Sequence, residues 1–214
     1  MIDSRDFPDA RHAVVFDIDG TLLHSADVDD RLYRDAVRAV LGPVRFRPTL
    51  ADYDPVTDSG ILAQVLSDNA LPSEPGGTGR VKAAFVAAFR SHIASFGAFS
   101  EIPGAKAFIS ALRESDSHAV AIATGGWRET AMLKLESAGF DIGGVPLATS
   151  DDAPERSEIM RLALSRLGDR FDSITYYGDG PWDEAACRQL GWRFVAVGDA
   201  IGGIASYDGI GIPA

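Results

Sequence analysis

The chain has 214 residues, 46% of them apolar, enough to bury one substantial core plus a smaller appendage, so wholesale disorder is excluded. Thirty-one acidic against 20 basic side chains leave a net charge of −11, which argues against nucleic acid as a partner. No run approaches the ~20 apolar residues of a membrane span, the opening MIDSRDFPDARH lacks the apolar stretch of a secretory signal, and a single cysteine, Cys187, expected to be a buried structural thiol, fits a reducing cytoplasm.

The first apolar run, HAVVFDI (12–18), is rich in β-branched and aromatic residues and predicts a buried strand. It closes on Asp17 and Asp19, followed at once by Gly20 and Thr21. Residues 24–99 then change rhythm, with no strand pattern and three helical ones, Val28 to Leu41, Ser59 to Ala70 and Arg80 to Phe96, parted by spacers rich in Pro and Gly. On the third, Phe85, Phe89 and Phe96 form a stripe that reads as core.

From residue 100 onward helix and strand alternate. Helix AKAFISALRE leads to strand AVAIAT (119–124), helix RETAMLKLESAG to strand GVPLAT (144–149), helix SEIMRLALSRLG to strand SITYYG (173–178), and helix DEAACRQLG to strand RFVAVG (193–198). The alternation predicts an α/β fold, a Rossmann-like parallel sheet covered on both faces. Residues 1–23 and 100–214 would form this core, with a helical unit at 24–99 inserted after the first core strand.

In such a sheet ligands bind at the carboxyl ends of the strands, where strand order reverses. Asp17 and Asp19 follow the first strand, Thr124, Gly125 and Gly126 the second, and Asp179 and Asp183 the fourth. Side chains two apart on extended backbone point the same way, so Asp17 and Asp19 can share a site. So many carboxylates on one rim call for a hard divalent cation such as Mg²⁺, with Asp17 and Asp179 as direct ligands and Asp183 either direct or one step removed. A carboxylate can also attack phosphorus, provided that a neighbour moves a proton to the leaving alkoxide and later takes one from water; one aspartate for each role gives Asp-x-Asp. Thr124 is placed to bind phosphoryl oxygens, with the amides of Gly125 and Gly126 as a donor nest, and Arg156 offers the balancing cation.

DIDGT, ATGG, a basic residue opening the helix after the third core strand, and GDGPWD resemble, in order and context, the four motifs of the haloacid-dehalogenase-like (HAD) hydrolases, a likeness covering about residues 12–198. The resemblance implies Asp17 as nucleophile and Asp19 as general acid/base that also gives its backbone carbonyl to Mg²⁺. It further implies Thr124 as the phosphate ligand, and Asp179 and Asp183 as the acidic metal motif. The third motif usually carries lysine. Here Lys82, Lys106 and Lys134 all lie outside that loop, and Arg156 is the substitute. The insert resembles the small cap of the phosphoglycolate-phosphatase-like branch, in which Thr57 and Asp58 could read the leaving group or simply cap a helix.

The expected activity is a Mg²⁺-dependent phosphatase acting on a small phosphorylated metabolite, without nucleic acid or membrane as partner. Alternatives are phosphoglucomutase-like phosphoryl transfer within a sugar phosphate, and a non-enzymatic phosphorylatable sensing module. Dehalogenase chemistry is disfavoured, since relatives of that kind lack an aspartate at the position of Asp19. Trp127 and Trp182 could line the cleft or pack, and His24 reads as a solvated hinge residue.

Overall fold

The first strand pairs on both sides with later ones, which makes it the centre of the sheet. The computed structural model describes residues 12–168 and 170–213; residues 1–11, most of the stretch read above for a signal, lie outside them. Strand β1 (His12–Phe16) is flanked in parallel by β2 (His118–Ala123) and β4 (Ser173–Gly178), with β3 (Leu147–Ala148) and β5 (Arg193–Ala196) at the edges, in the order β3-β2-β1-β4-β5. The order reverses between β1 and β4, so the carboxyl ends of these two strands flank the crevice in which the fold class binds its ligands.

Side-chain alternation gives each face its own core. Val14, Phe16, Val120, Ile122 and Tyr177 point to one side, where α4 (Ala105–Arg113) and α5 (Arg128–Ser137) cover them. Ala13, Val15, Ala119, Ala121 and Tyr176 point to the other, against α6 (Arg156–Ser165) and α7 (Pro181–Leu190). The small β2 side chains on this second face leave room for Ile159, Met160 and Cys187. Cys187 is buried, and burial pushes its thiol up to about 12, as expected of a structural cysteine.

Each helix and strand read from the sequence is present, within a few residues. The exception in length is β3, two residues instead of the six of GVPLAT: Pro146 has no N–H to give to a ladder and the strand lies at the sheet edge. Residues 24–99 hold α1 (Ala26–Leu41), α2 (Asp58–Asp68), α3 (Gly77–Phe96) and one 3₁₀ turn (Leu50–Asp52), and no strand among the described residues. Phe85 and Phe89 are fully buried beside Tyr33 and Trp127, but Phe96 is 79% exposed. The expected aromatic stripe therefore stops one turn early, because Phe96 is the last residue of α3 and its ring lies against His92 instead.

The two crossings between this helical segment and the sheet run side by side. Leu23 bridges Glu101, His24 N–H donates to Ser100 O at 2.9 Å, and Ile102 N–H donates to Leu22 O at 2.8 Å. Exposed His24 sits on this crossing and not in the cleft, which fits a solvated hinge residue. No helix of the described residues is long and apolar enough to cross a membrane.

Candidate active site

Beyond Phe16 the β1 backbone continues the ladder for one more bond, Asp17 N–H to Tyr177 O at 3.0 Å. It then turns sharply, the amides of Thr21, Leu22 and Leu23 all reaching Ile18 O. Gly20 makes this turn at φ +70°, and a Cβ there would lie 2.0 Å from Asp179 Oδ2, so only glycine lets the β1 and β4 carboxylates approach. Asp17, Asp179 and Asp183 each offer an oxygen within 4.8 Å of the others. Asp17 is 4% exposed, and its Oδ1 has no hydrogen-bond partner among the described residues.

An unpaired buried acceptor amid three carboxylates is costly unless a cation serves it. All-oxygen, anionic donors at this spacing fit a hard divalent ion such as Mg²⁺. Without one, burial raises the Asp17 carboxyl well above its usual range; Arg156 pulls the other way, while Asp183, Asp179 and Asp19 add to the rise. Burial and then Asp183 push Asp179 up to about 7, with Arg156 opposing.

Arg156, the first residue of α6, lies at the back of this cluster. Its Nη1 donates to Asp183 Oδ1 at 2.8 Å and is 3.6 Å from Asp17 Oδ1. Nη2 donates to Val56 O at 3.2 Å, and a Cβ on Gly125 would lie 2.5 Å from it, so the glycine makes room for the guanidinium. Burial works against the Arg156 charge, but Asp183 and Asp17 more than offset it and hold the group cationic. Fully buried Asp183 also accepts from Gly180 N–H at 3.2 Å at the start of α7, and from Tyr176 Oη at 3.3 Å. One side chain thus both caps the start of α7 and stands in the acidic cluster.

Asp19 faces the same pocket but not the same partners. Its carboxylate accepts from Ser25 Oγ at 2.5 Å and from Lys134 Nζ at 2.7 and 2.5 Å. Lys134, in α5 and fully buried, also donates to Asp29 Oδ1 at 2.5 Å. Despite desolvation, which lowers it, Asp19 and Asp29 raise the Lys134 pKa. One ammonium serves two carboxylates, and burial followed by the Asp19 charge pushes Asp29 up to about 7. Neither Lys134 nor Asp29 was singled out from the sequence. Lys134 shares the buried side of α5 with Thr130, Ala131 and Leu135, a side that the apolar pattern of RETAMLKLESAG does not mark.

Thr124 is buried at the end of β2 and lines the pocket, as does Gly125. The expected nest is partly taken, since Gly126 N–H donates to Thr124 Oγ1 at 3.2 Å. The next amide, Trp127 N–H, donates to Asp58 Oδ2 at 2.8 Å. Trp127 itself is buried against Tyr33 and Phe85, so it packs, whereas half-buried Trp182 lines the pocket.

Segment 56–59 is stitched to the core loops. Thr57 caps α2 by accepting from Gly60 N–H, and donates to Pro154 O at 2.8 Å. Asp58 N–H donates to Gly125 O at 2.8 Å, and Ser59 Oγ takes a hydrogen bond from Trp127 Nε1 at 2.9 Å while donating to Ser150 O. Thr57 and Asp58 therefore act as caps and ties, and both also line the pocket, a cavity of about 90 Å³.

A model of the hydrolase family described as haloacid dehalogenase-like hydrolase matches residues 12–191. No curated protein matches the sequence. Among solved structures the chain is similar to a hydrolase from Pseudomonas syringae at 21% identity, covering 86% of this chain and 83% of that one with a TM-score of 0.69. It is also similar to CbbY from Rhodobacter sphaeroides in complex with phosphate, at 19% identity over 92% and 88% of the chains, TM-score 0.69. A mutant of that protein is known with xylulose 1,5-bisphosphate. A predicted phosphoglycolate phosphatase from Haemophilus somnus matches at 16% identity over 92% and 90%, TM-score 0.61.

Proposed function

The chain belongs to the haloacid dehalogenase-like hydrolase family, and we propose that within it the protein is a Mg²⁺-dependent phosphatase that cleaves a small-molecule phosphomonoester through an aspartyl-phosphate on Asp17. The observation that carries this reading is Asp17 Oδ1, a buried carboxylate oxygen without a hydrogen-bond partner among the described residues, set among Asp179, Asp183 and Arg156.

Asp17, Asp179 and Asp183 would hold the Mg²⁺ ion, with the Asp19 carbonyl as a further ligand; when bound, the ion supplies positive charge to the phosphoryl oxygens. Thr124 and the Gly125 amide bind and orient the phosphoryl group, and Arg156 favours the ionised form of Asp17 against the burial that opposes it. An Asp17 carboxylate oxygen attacks phosphorus, the ester P–O bond breaks, and Asp19 gives a proton to the leaving alkoxide. Asp19 then takes a proton from a water that attacks the acyl phosphate, which releases phosphate and restores Asp17. Residues 24–99 act as a cap whose segment 56–59 closes the pocket, which favours small esters over phosphoproteins or nucleic-acid ends.

Phosphate release across a panel of small phosphomonoesters, with Asp17→Asn as control, tests the reading. Release that the variant abolishes and that chelation removes reversibly is expected. Isomerisation of a hexose 1-phosphate to the 6-phosphate without released phosphate would overturn the hydrolase reading in favour of a mutase.

A further inference from the structure

The half of the pocket contributed by residues 24–99 carries only one sign of charge. Its ionisable side chains are Asp29, Asp30, Asp58 and Tyr33, and the whole lining contains one basic residue, Arg156. Arg156 is occupied by Asp183, Asp17 and Val56 O. The two nearby cations stand behind the wall: Lys134 is spent on Asp19 and Asp29, and Arg34 Nε donates to both oxygens of Asp30 at 2.8 Å while its guanidinium lies over Phe46. Asp58 has no cationic partner within ion-pair distance among the described residues. Only its Oδ2 receives a hydrogen bond there, from Trp127 N–H. Tyr33 Oη is committed to Asp58 O at 2.7 Å.

An alcohol half that carries its own anion would meet three carboxyl groups and no free cation to offset the desolvation of its charge. Hydroxyl or ammonium donors would instead find acceptors along the whole wall. We infer that the substrate is the phosphate ester of an amino alcohol, with neutral polyol esters next and esters bearing a second anionic group excluded, and that Asp58 and Asp30 set this order. The inference rests on the phosphatase reading of the pocket, and separates the chain from the phosphoglycolate and sugar-bisphosphate chemistry named for its fold relatives, since both of those esters carry a second anion.

The test uses ethanolamine phosphate, glycerol 3-phosphate and phosphoglycolate in two arms. In turnover by the wild-type enzyme with Mg²⁺, kcat/KM should fall in that order, by on the order of a hundredfold between the first and the last. In calorimetric binding of the intact esters to Asp17→Asn, affinity should fall in the same order. Asp58→Asn, which keeps an acceptor for Trp127 N–H, and Asp30→Asn, which unpairs Arg34, should each narrow the ratio by roughly tenfold. Phosphoglycolate turned over or bound as well as ethanolamine phosphate would overturn the inference. If none of the panel of small phosphomonoesters is turned over, the phosphatase reading falls, and the binding order still decides the question of charge selection.

Discussion

Lys134 donates to both carboxylate oxygens of Asp19, at 2.7 and 2.5 Å, across 115 residues of sequence. A buried lysine on a core helix thus fixes the orientation of the residue assigned to proton transfer, and Asp29 shares the same ammonium.

Lys134 is accordingly a positioning residue. Lys134→Met should cost about 3–5 kcal/mol of stability, because two carboxylates lose their buried partner, and should lower kcat by roughly a hundredfold with KM changed less than about threefold. Lys134→Arg should recover part of kcat, and adding Asp29→Asn to Lys134→Met should recover stability without activity. Steady-state kinetics beside urea melts separate the two effects, and an unchanged kcat in Lys134→Met would refute the positioning role.

Asp17→Asn and Asp19→Asn should differ in kind. The first removes the attacking oxygen, so turnover falls by at least about 10³-fold and no phosphoenzyme forms while melting stays cooperative. The second keeps the nucleophile, so a slow phosphoenzyme still accumulates. Rapid quench with radiolabelled substrate reads both, and labelled Asp17→Asn protein would contradict the assignment.

Arg156→Lys keeps the charge beside Asp183 and Asp17 but cannot also reach Val56 O as the planar fork does. A loss of roughly tenfold in kcat/KM is expected. Arg156→Ala, which leaves buried carboxylates unpaired, should lose activity and about 3 kcal/mol of stability. Equal kinetics in wild type and Arg156→Lys would show that geometry at this position is immaterial.

Asp29 and Asp179 make metal-free stability depend on pH. Both are pushed from an ordinary 3.8 to about 7, chiefly by burial. Between those values the folded protein holds protons that the unfolded chain has released, so stability falls as pH rises. The contribution is complete below about 4 and gone above about 7. Melts of metal-free protein between pH 5 and 8 should show this decline, with a shallower slope in Asp29→Asn. Mg²⁺ should raise Tm more at pH 8 than at pH 5.5, because it needs Asp179 without its proton. A flat metal-free profile would contradict the assignment.

The architecture was legible because each strand of the sheet is a short apolar run bounded by helix periodicity, and Asp17, Asp179 and Asp183 follow strand ends that the α/β topology brings together. Arg156 could be found because it opens the helix after the third core strand. What stayed hidden depends on distance in sequence. Nothing local to RETAMLKLESAG says that Lys134 meets Asp19, and nothing local to Val28–Leu41 says that Asp29 joins them. The double duty of Asp58, a tie to Trp127 and a wall of the pocket, likewise needs two segments 69 residues apart.

The paired crossings at Leu22–His24 and Ser100–Ile102 constrain how the helical segment could ever move. Two separate tethers would permit sliding, tilting and twisting in any mixture. Hydrogen-bonded side by side, they behave as one ribbon, and a ribbon has a single easy axis. Once the ties of residues 57–59 to Pro154, Gly125 and Ser150 part, opening of the pocket would reduce to one angle. Because only Gly20 and Thr21 separate Leu22 from Asp19 in the chain, a change in that angle would reach the residue proposed to move the proton.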